Sequence, residues 1–218
     1  MEVTASLRTV GRPRSGGREP LLVVLDGADY VRRARLLPLL RRLVDEGTLP
    51  PHRVALVAAE DRFERYAASA PFARSLATAL EELAPRSRRA GLGSSLGALA
   101  LLQAHRLEPR AFAGLFLQSG SYFRRRTDPQ EAGFPRFGRI SRFVGTVLAG
   151  RDGGRPVPTT ITCGLDEENY ANNAVLAQAL AAQGYAVDFH AARGAHDWPT
   201  WRRALDAHLG ALLRRAWR

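Results

Sequence analysis

Residues 91–97 read GLGSSLG, directly after RSRRA and directly before ALALLQAH. A dinucleotide-binding loop would need a glycine where this chain has Leu96, and a phosphate-binding P-loop would need a lysine, which the chain lacks. The pattern G-x-S-x-G does fit, with Ser95 at its centre. Its context, an apolar strand before it and a helical pattern after it, is the one that this motif requires. We therefore predict a sharp strand–turn–helix connection that exposes the Ser95 hydroxyl.

A serine on such a turn is placed to act as a nucleophile. It projects at the N-terminus of a helix, where the backbone N–H of Leu96 can face a developing oxyanion. In so sharp a turn, any side chain in place of the flanking Gly93 or Gly97 is expected to clash with the backbone. Ser94 is expected to point elsewhere and to be structural. An ordinary tight turn without catalytic duty is the alternative.

A nucleophilic serine needs a base, and the base needs an acid that orients it. His196 lies in RGAHDWP, directly after the last predicted strand, where the base follows a G-x-S-x-G serine in chain order. The other histidines lie before a strand, in helical patterns or within a strand: His52, His105, His208 and His190. Three candidate acids, Asp166, Glu167 and Glu168, follow the strand TTITCG. They are also favourable charges at a helix start, and spacing alone does not choose among them.

A second oxyanion donor is expected in the loop LDGADY, after the first long strand. Gly27 allows the chain to turn there, and the backbone N–H of Ala28 is the candidate donor. A tight turn without a role in catalysis is again the alternative.

Short apolar runs alternate with helical patterns along the chain. The runs are 21–26, 53–59, 87–92, 113–119, 159–164 and 186–192. Helical stripes lie between them, for example Phe72, Leu76, Leu80 and Leu83. This alternation predicts an α/β fold with a mostly parallel sheet and helices on both faces. Together with the serine motif, it predicts an α/β-hydrolase.

The length of 218 residues, 45% of them hydrophobic, suits a single domain. Residues 1–19 are polar and rich in Gly, Pro and Arg, so we expect a loose N-terminal arm or an edge strand. Residues 20–218 are expected to form the hydrolase domain. The irregular segment 120–157 lies where a lid could be inserted.

The net charge is +11, and all 32 basic residues are arginines. Because they are scattered, we expect no nucleic-acid partner and attribute the bias mainly to genome composition. No apolar run approaches the roughly 20 residues of a membrane span, and the N-terminus has no signal-peptide core. With the single cysteine, Cys163, these features predict a cytoplasmic protein without membrane contact or internal disulfide. The sequence leaves the oligomeric state undefined.

Some side chains are candidate substrate contacts. The segment SYFRRR follows the strand AGLFLQS, and Arg62 follows the second long strand. The carboxyl ends of the strands carry the active site in this fold, so the rim is expected to hold Arg62, Arg124, Arg125, Arg126 and Trp198. Arginines there would favour an anionic ester as the small-molecule partner. Solvated surface charge is the alternative for each arginine.

The chain resembles the enterochelin (ferric enterobactin) esterase family, within the esterase-D-like α/β-hydrolases. The matching segments include LLVVLDGADY, GLGSSLGALALLQAH, LFLQSGSY, CGLDEENYANNAVLAQALAAQGY and HDWPTWRRAL, in the family order over residues 20–210. The resemblance implies a serine esterase that needs no metal or organic cofactor. It implies Ser95 as nucleophile, His196 as base, and Ala28 and Leu96 as oxyanion donors. The family's acid follows the strand-ending glycine by three residues, which selects Glu167.

The resemblance also implies a substrate class, namely a siderophore trilactone or a similar polyester or lactone. A general carboxylesterase or acyltransferase of the same fold is the main alternative. A binding protein without catalysis on a hydrolase scaffold is an alternative of another kind, which the order serine–acid–histidine disfavours.

Overall fold

The computed structural model describes residues 3–12, 19–151 and 154–218. The strands are β1 (Thr4–Val10), β2 (Leu21–Leu25), β3 (His52–Ala58), β4 (Arg89–Ser94), β5 (Gly114–Gln118), β6 (Thr159–Gly164) and β7 (Val187–Ala192). The helices are α1 (Gly27–Arg32), α2 (Leu36–Asp45), α3 (Arg62–Tyr66), α4 (Ala70–Leu83), α5 (Leu96–Leu107), α6 (Phe137–Leu148), α7 (Tyr170–Ala182) and α8 (Trp198–Ala216). A short 3₁₀ helix spans Pro129–Gly133.

The strands form one sheet in the order β1-β3-β2-β4-β5-β6-β7. Strand β1 pairs antiparallel with β3, and every other pairing is parallel. The six predicted strands therefore correspond to β2–β7, and the predicted mostly parallel sheet is confirmed. Because parallel strands end together, the segments after β2, β4, β5, β6 and β7 meet at one edge of the sheet.

Both faces of the sheet are buried, as the continuous apolar strands require. Alternate residues of β2 point to opposite sides, so that Val23 packs on one face while Val24 packs on the other. The first face is covered by α4, α5, α6 and α7, and the second by α1, α2 and α8. The fold is α/β with helices on both faces.

The segment 120–157 is more regular than its sequence suggested. It contains the 3₁₀ helix and α6, whose buried positions include Ile140, Val144 and Val147. These three residues have helical spacing, and they pack into the core beside α7. A role of this segment as a lid stays a prediction, and its residues 152–153 lie outside the described ranges.

The N-terminal segment contributes β1 at one edge of the sheet. The prediction of a loose arm or an edge strand also covers residues 1–2 and 13–18, which lie outside the described ranges. Among the helices formed by the described residues, none is long and apolar enough to cross a membrane.

Candidate active site

The turn between β4 and α5 gives Ser95 a backbone conformation that side chains rarely adopt. Its φ is 55° and its ψ is −122°, and its backbone N–H donates to the Gln118 carbonyl oxygen at 2.8 Å. A Cβ on Gly93 would lie 2.7 Å from the Gly97 carbonyl carbon, so only glycine fits there. A Cβ on Gly97 would meet nothing closer than Leu25 at 3.4 Å. The expected steric constraint is thus present at Gly93 and absent at Gly97.

Glu167 and His196 form a hydrogen-bonded pair at the same edge of the sheet. Glu167 Oε2 lies 2.7 Å from His196 Nδ1, and Glu167 Oε1 accepts hydrogen bonds from Ser119 Oγ at 2.6 Å and from the Gly164 N–H at 2.7 Å. The Glu167 side chain is 1% exposed and that of His196 is 42% exposed. The carboxylate is therefore held inside the protein while the imidazole reaches the surface.

Burial alone would raise the pKa of Glu167. The hydrogen bonds from His196, Ser119 and Gly164 outweigh it and hold the pKa below its ordinary value. Glu167 is therefore ionised at neutral pH. Asp166 and Glu168 are exposed, so the buried member of the three acids is the one bonded to the histidine.

Ser95 and His196 line one cavity of about 360 Å³, together with Glu167. Ser95 Oγ is hydrogen-bonded to Ser121 Oγ at 3.1 Å. No direct hydrogen bond joins Ser95 to His196 in the described part of the chain. Catalytic hydrogen bonds of this kind are often long or misaligned in free enzymes and tighten when substrate binds.

Several residues of this site were missed by the sequence analysis. Ser119 has a φ of 47°, donates to Glu167, and accepts from Trp201 Nε1 at 2.9 Å. The Trp201 ring in turn lies edge-on to the His196 ring, with 5.0 Å between centroids. Ser119 and Ser121 both belong to LFLQSGSY, one of the segments that carry the family resemblance, but the sequence analysis predicted no role for their hydroxyl groups.

Two asparagines at the start of α7 fix the loop that carries these serines. Asn173 Oδ1 accepts from the Gly120 N–H at 2.9 Å, and Asn173 Nδ2 donates to the Gly120 carbonyl oxygen at 3.0 Å. Asn169 donates to the same carbonyl oxygen at 3.2 Å. Asn169 and Asn173, both in the segment ENYANN, thus hold the loop against α7.

The two predicted oxyanion donors lie at helix starts. Leu96 is the first residue of α5, and Ala28 is the second residue of α1. Backbone N–H groups in a first helical turn have no partner within the helix, so both are available as donors. The exposed Ala28 side chain faces a separate cavity between β1 and α1, and Ala28 is not part of the Ser95 cavity wall.

Arg62 contacts the loops around the site instead of the cavity. Its guanidinium lies 3.0 Å from Asp26 Oδ2 and 3.5 Å from the Ser94 carbonyl oxygen. Burial raises the pKa of Asp26, and Arg62 only partly counters this effect. Arg62 therefore ties the loop before Ala28 to the strand before Ser95.

The other predicted contacts also lie off the cavity wall. Arg124 Nε donates to Asn172 Oδ1 at 2.8 Å, and the other two arginines of SYFRRR are exposed. Trp198 packs edge-on between Tyr30 and Trp201. The wall carries instead two aromatic rings and four acids: Phe123, Phe134, Glu131, Asp166, Glu167 and Glu168. Substrate binding by Arg62, Arg124, Arg125, Arg126 and Trp198 stays a prediction.

The sheet, its two helical layers and the strained serine turn define an α/β-hydrolase fold. Among solved structures, the chain is similar to the enterochelin esterase from Shigella flexneri, at 25% identity and a TM-score of 0.77. The match covers 94% of this chain and 53% of that chain, so the chain spans about half the length of that esterase. The resemblance to enterochelin esterases is thereby confirmed.

Other similar structures are matched over nearly their full length. A ferulic acid esterase is 16% identical with a TM-score of 0.70, and the match covers 98% of both chains. The S-formylglutathione hydrolase from Staphylococcus aureus is 13% identical with a TM-score of 0.67, covering 98% of this chain and 100% of that chain. At these identities the similarity establishes the fold. No family model and no curated protein sequence matches the chain.

Proposed function

We propose that the protein hydrolyses carboxylic esters through an acyl intermediate on Ser95. The observation that carries this proposal is the buried, ionised Glu167 bonded to His196 beside the cavity that also holds the strained Ser95. Esterases and serine hydrolases among the similar structures support it.

In the first half of the reaction, the Ser95 hydroxyl turns from Ser121 towards His196 and attacks the ester carbonyl carbon. His196 Nε2 takes the hydroxyl proton, and Glu167 holds Nδ1–H and stabilises the imidazolium. The N–H groups of Leu96 and Ala28 bind the oxyanion. The carbon–oxygen bond to the alcohol then breaks, and His196 gives the proton to the departing alcohol.

The second half repeats these roles with water. His196 takes a proton from the water molecule as its oxygen attacks the acyl carbon. When the tetrahedral intermediate collapses, the proton goes to Ser95 Oγ and the carboxylic acid leaves. If another alcohol enters in place of water, the same residues transfer the acyl group.

The proposed substrate class is a siderophore trilactone or a similar polyester. The Shigella flexneri esterase was crystallised in the presence of enterobactin, and the rings of Phe123 and Phe134 offer an apolar wall to an aromatic acyl group. The second candidate is a general carboxylesterase, which the full-length match to the ferulic acid esterase favours. A cytoplasmic location belongs to the same proposal.

Labelling with a fluorophosphonate probe tests the serine directly. We expect covalent modification of the wild-type protein and of Ser94→Ala, and none of Ser95→Ala. Turnover of an aryl ester should fall by roughly 10⁴–10⁶ in Ser95→Ala and far less in Ser94→Ala. Labelling that persists in Ser95→Ala would show that the nucleophile is elsewhere. Absence of labelling in the wild type would favour a binding protein.

A hydrolysis screen then separates the two substrate classes. It compares enterobactin-like trilactones with aryl esters of graded acyl length under the same conditions. Faster turnover of the trilactones supports the siderophore class, whereas a preference for short aryl esters supports the general carboxylesterase.

A further inference from the structure

A second cavity lies at the opposite edge of the sheet from Ser95. It has a volume of about 410 Å³ and surrounds the amino ends of β4, β5 and β6. None of the described residues in its wall is an Asp or a Glu, and five are arginines: Arg88, Arg89, Arg110, Arg155 and Arg215. An adjoining groove of about 570 Å³ shares Arg89 and Arg110 and carries Glu81 and Glu108. The catalytic proposal uses none of these residues.

Among the described residues, the positive charge of this cavity is only partly compensated. Arg89 is paired with Glu81 at 2.6 Å, and Arg215 is paired with Asp188. Within residues 3–12, 19–151 and 154–218, the other three arginines of the wall have no ion pair. About three positive charges therefore converge on one concave site.

Arg89 supplies an independent indication of a ligand. Its residue is 8% exposed, and its Nη1 is buried without a hydrogen-bond partner in the described part of the chain. A buried charged donor without a partner is costly, and native proteins rarely leave one unsatisfied. Nη1 is enclosed and not open to the cavities, but Arg89 forms part of the wall of both, so a small shift of its guanidinium would bring Nη1 to an acceptor oxygen bound there.

We propose that this cavity binds a small anion that carries two linked phosphate groups. The planar guanidinium donates two parallel hydrogen bonds to phosphate oxygens, which makes arginine suited to this ligand. Two phosphate groups carry roughly three to four negative charges at neutral pH, which matches the three arginines of the wall that have no ion pair with any described residue. The concave shape favours a small molecule over an extended polyanion.

Isothermal titration calorimetry with sodium pyrophosphate, at a constant ionic strength near 0.15 M, tests the proposal. We expect one saturable site, with orthophosphate binding at least about tenfold more weakly because it reaches fewer arginines. An ATP titration identifies the source of the ligand: tighter binding than pyrophosphate indicates a nucleotide, and weaker binding indicates free pyrophosphate. The readout is independent of ester hydrolysis, so it holds whether or not Ser95 is the nucleophile.

A matched pair of variants locates the site. Arg110→Gln/Arg155→Gln changes two exposed arginines of the wall and should weaken pyrophosphate binding at least about tenfold. Arg41→Gln/Arg202→Gln removes the same charge from two exposed arginines elsewhere and should leave binding unchanged. Equal affinities of the two variants, or no saturable binding to the wild type, would overturn the proposal. Tighter binding of an oligouridylate than of pyrophosphate would overturn the assignment of a small ligand.

Discussion

Glu167 shows how one side chain can serve both folding and the proposed chemistry. One carboxylate oxygen faces His196, and the other is held by Ser119 and the Gly164 N–H. The hydrogen bonds fix the carboxylate and keep it ionised, so the imidazole nitrogen that faces Glu167 carries a proton. The other nitrogen is then free to accept a proton from Ser95.

Substitution of the three acids separates this role from that of helix-start charge. We expect Glu167→Gln to lower kcat by roughly 10²–10⁴, because the amide no longer stabilises the imidazolium. Asp166→Asn and Glu168→Gln are matched controls, since both residues are exposed and each substitution preserves the size of the side chain. Steady-state kinetics on an aryl ester measure all three. Equal, small losses in the three variants would leave only the helix-charge interpretation.

His105 gives the protein a buried group that resists protonation. Its Nε2 donates to the Arg155 carbonyl oxygen at 2.7 Å, while its Nδ1 is buried without a partner in the described part of the chain. Burial lowers the pKa of His105 to about 4. Protonation would place a second N–H where nothing accepts it.

This shift makes stability depend on pH. An unfolded histidine binds its proton below about pH 6.5, whereas His105 in the folded state stays neutral down to about pH 4. The unfolding free energy should therefore fall on acidification through this window, by roughly 3 kcal/mol from His105 alone. Urea unfolding of wild type and His105→Leu at several pH values measures the contribution. Identical slopes against pH for the two proteins would contradict it.

At the scale of elements, the β4–turn–α5 unit fixes the position of Ser95. The main chain of α5 approaches β4 so closely that Gly93 has no room for a side chain. Gly97 lies in the first turn of the helix, on the other side of Ser95, and has ordinary contact distances. The two glycines of the motif thus differ in the physical constraint they meet.

We expect Gly93→Ala and Gly97→Ala to behave differently. The first forces the backbone of α5 away from β4 and should destabilise the protein by about 1–3 kcal/mol or more, with loss of esterase activity. The second adds a methyl group with room for it and improves helix propensity, so its stability should be unchanged or raised by up to about 1 kcal/mol. Thermal unfolding and turnover of each variant test this. Wild-type stability and activity in Gly93→Ala would show that the turn can accommodate a Cβ at this position.

The elements that the sequence predicted correctly are the strands of the sheet, which are continuous apolar runs. Ser95, Glu167 and His196 do follow β4, β6 and β7 along the chain, but their catalytic roles stay predictions. Helix α6 was missed because arginines and glycines interrupt its apolar stripe. Ser119 was missed because its role depends on a positive φ and on contacts with Glu167 and Trp201, which are distant in sequence.

At the scale of the whole molecule, the two ends of the parallel strands carry cavities whose walls differ in charge. The Ser95 cavity is walled by aromatic rings and acids, whereas the cavity at the amino ends of the strands is lined by arginines. Predicting this division from the sequence would require knowing which scattered arginines converge in space. The net charge of +11 gives the sign of the long-range field but does not locate the arginine-lined cavity.

The charge of the substrate can be tested at this scale. Arg125 and Arg126 are exposed on the loop after β5, and with the net positive charge they should attract an anionic ester. Catalytic efficiency towards an anionic aryl ester should therefore fall several-fold as ionic strength rises from about 10 mM to above 0.15 M, because the Debye length contracts from about 30 to 8 Å. A neutral ester of the same size should show little change.

Two variants of equal charge separate a local effect of the loop from the field of the whole protein. Arg125→Gln/Arg126→Gln should remove more of the salt dependence than Arg41→Gln/Arg202→Gln, because only the first pair lies on the loop that carries Ser121 and Phe123. Arg124 is left intact, since its bond to Asn172 helps to hold that loop. The acids of the cavity act in the opposite direction once the substrate has entered, and Glu168→Gln should lower the KM for the anionic ester. Identical salt responses of the anionic and neutral esters would show that these arginines take no part in substrate capture.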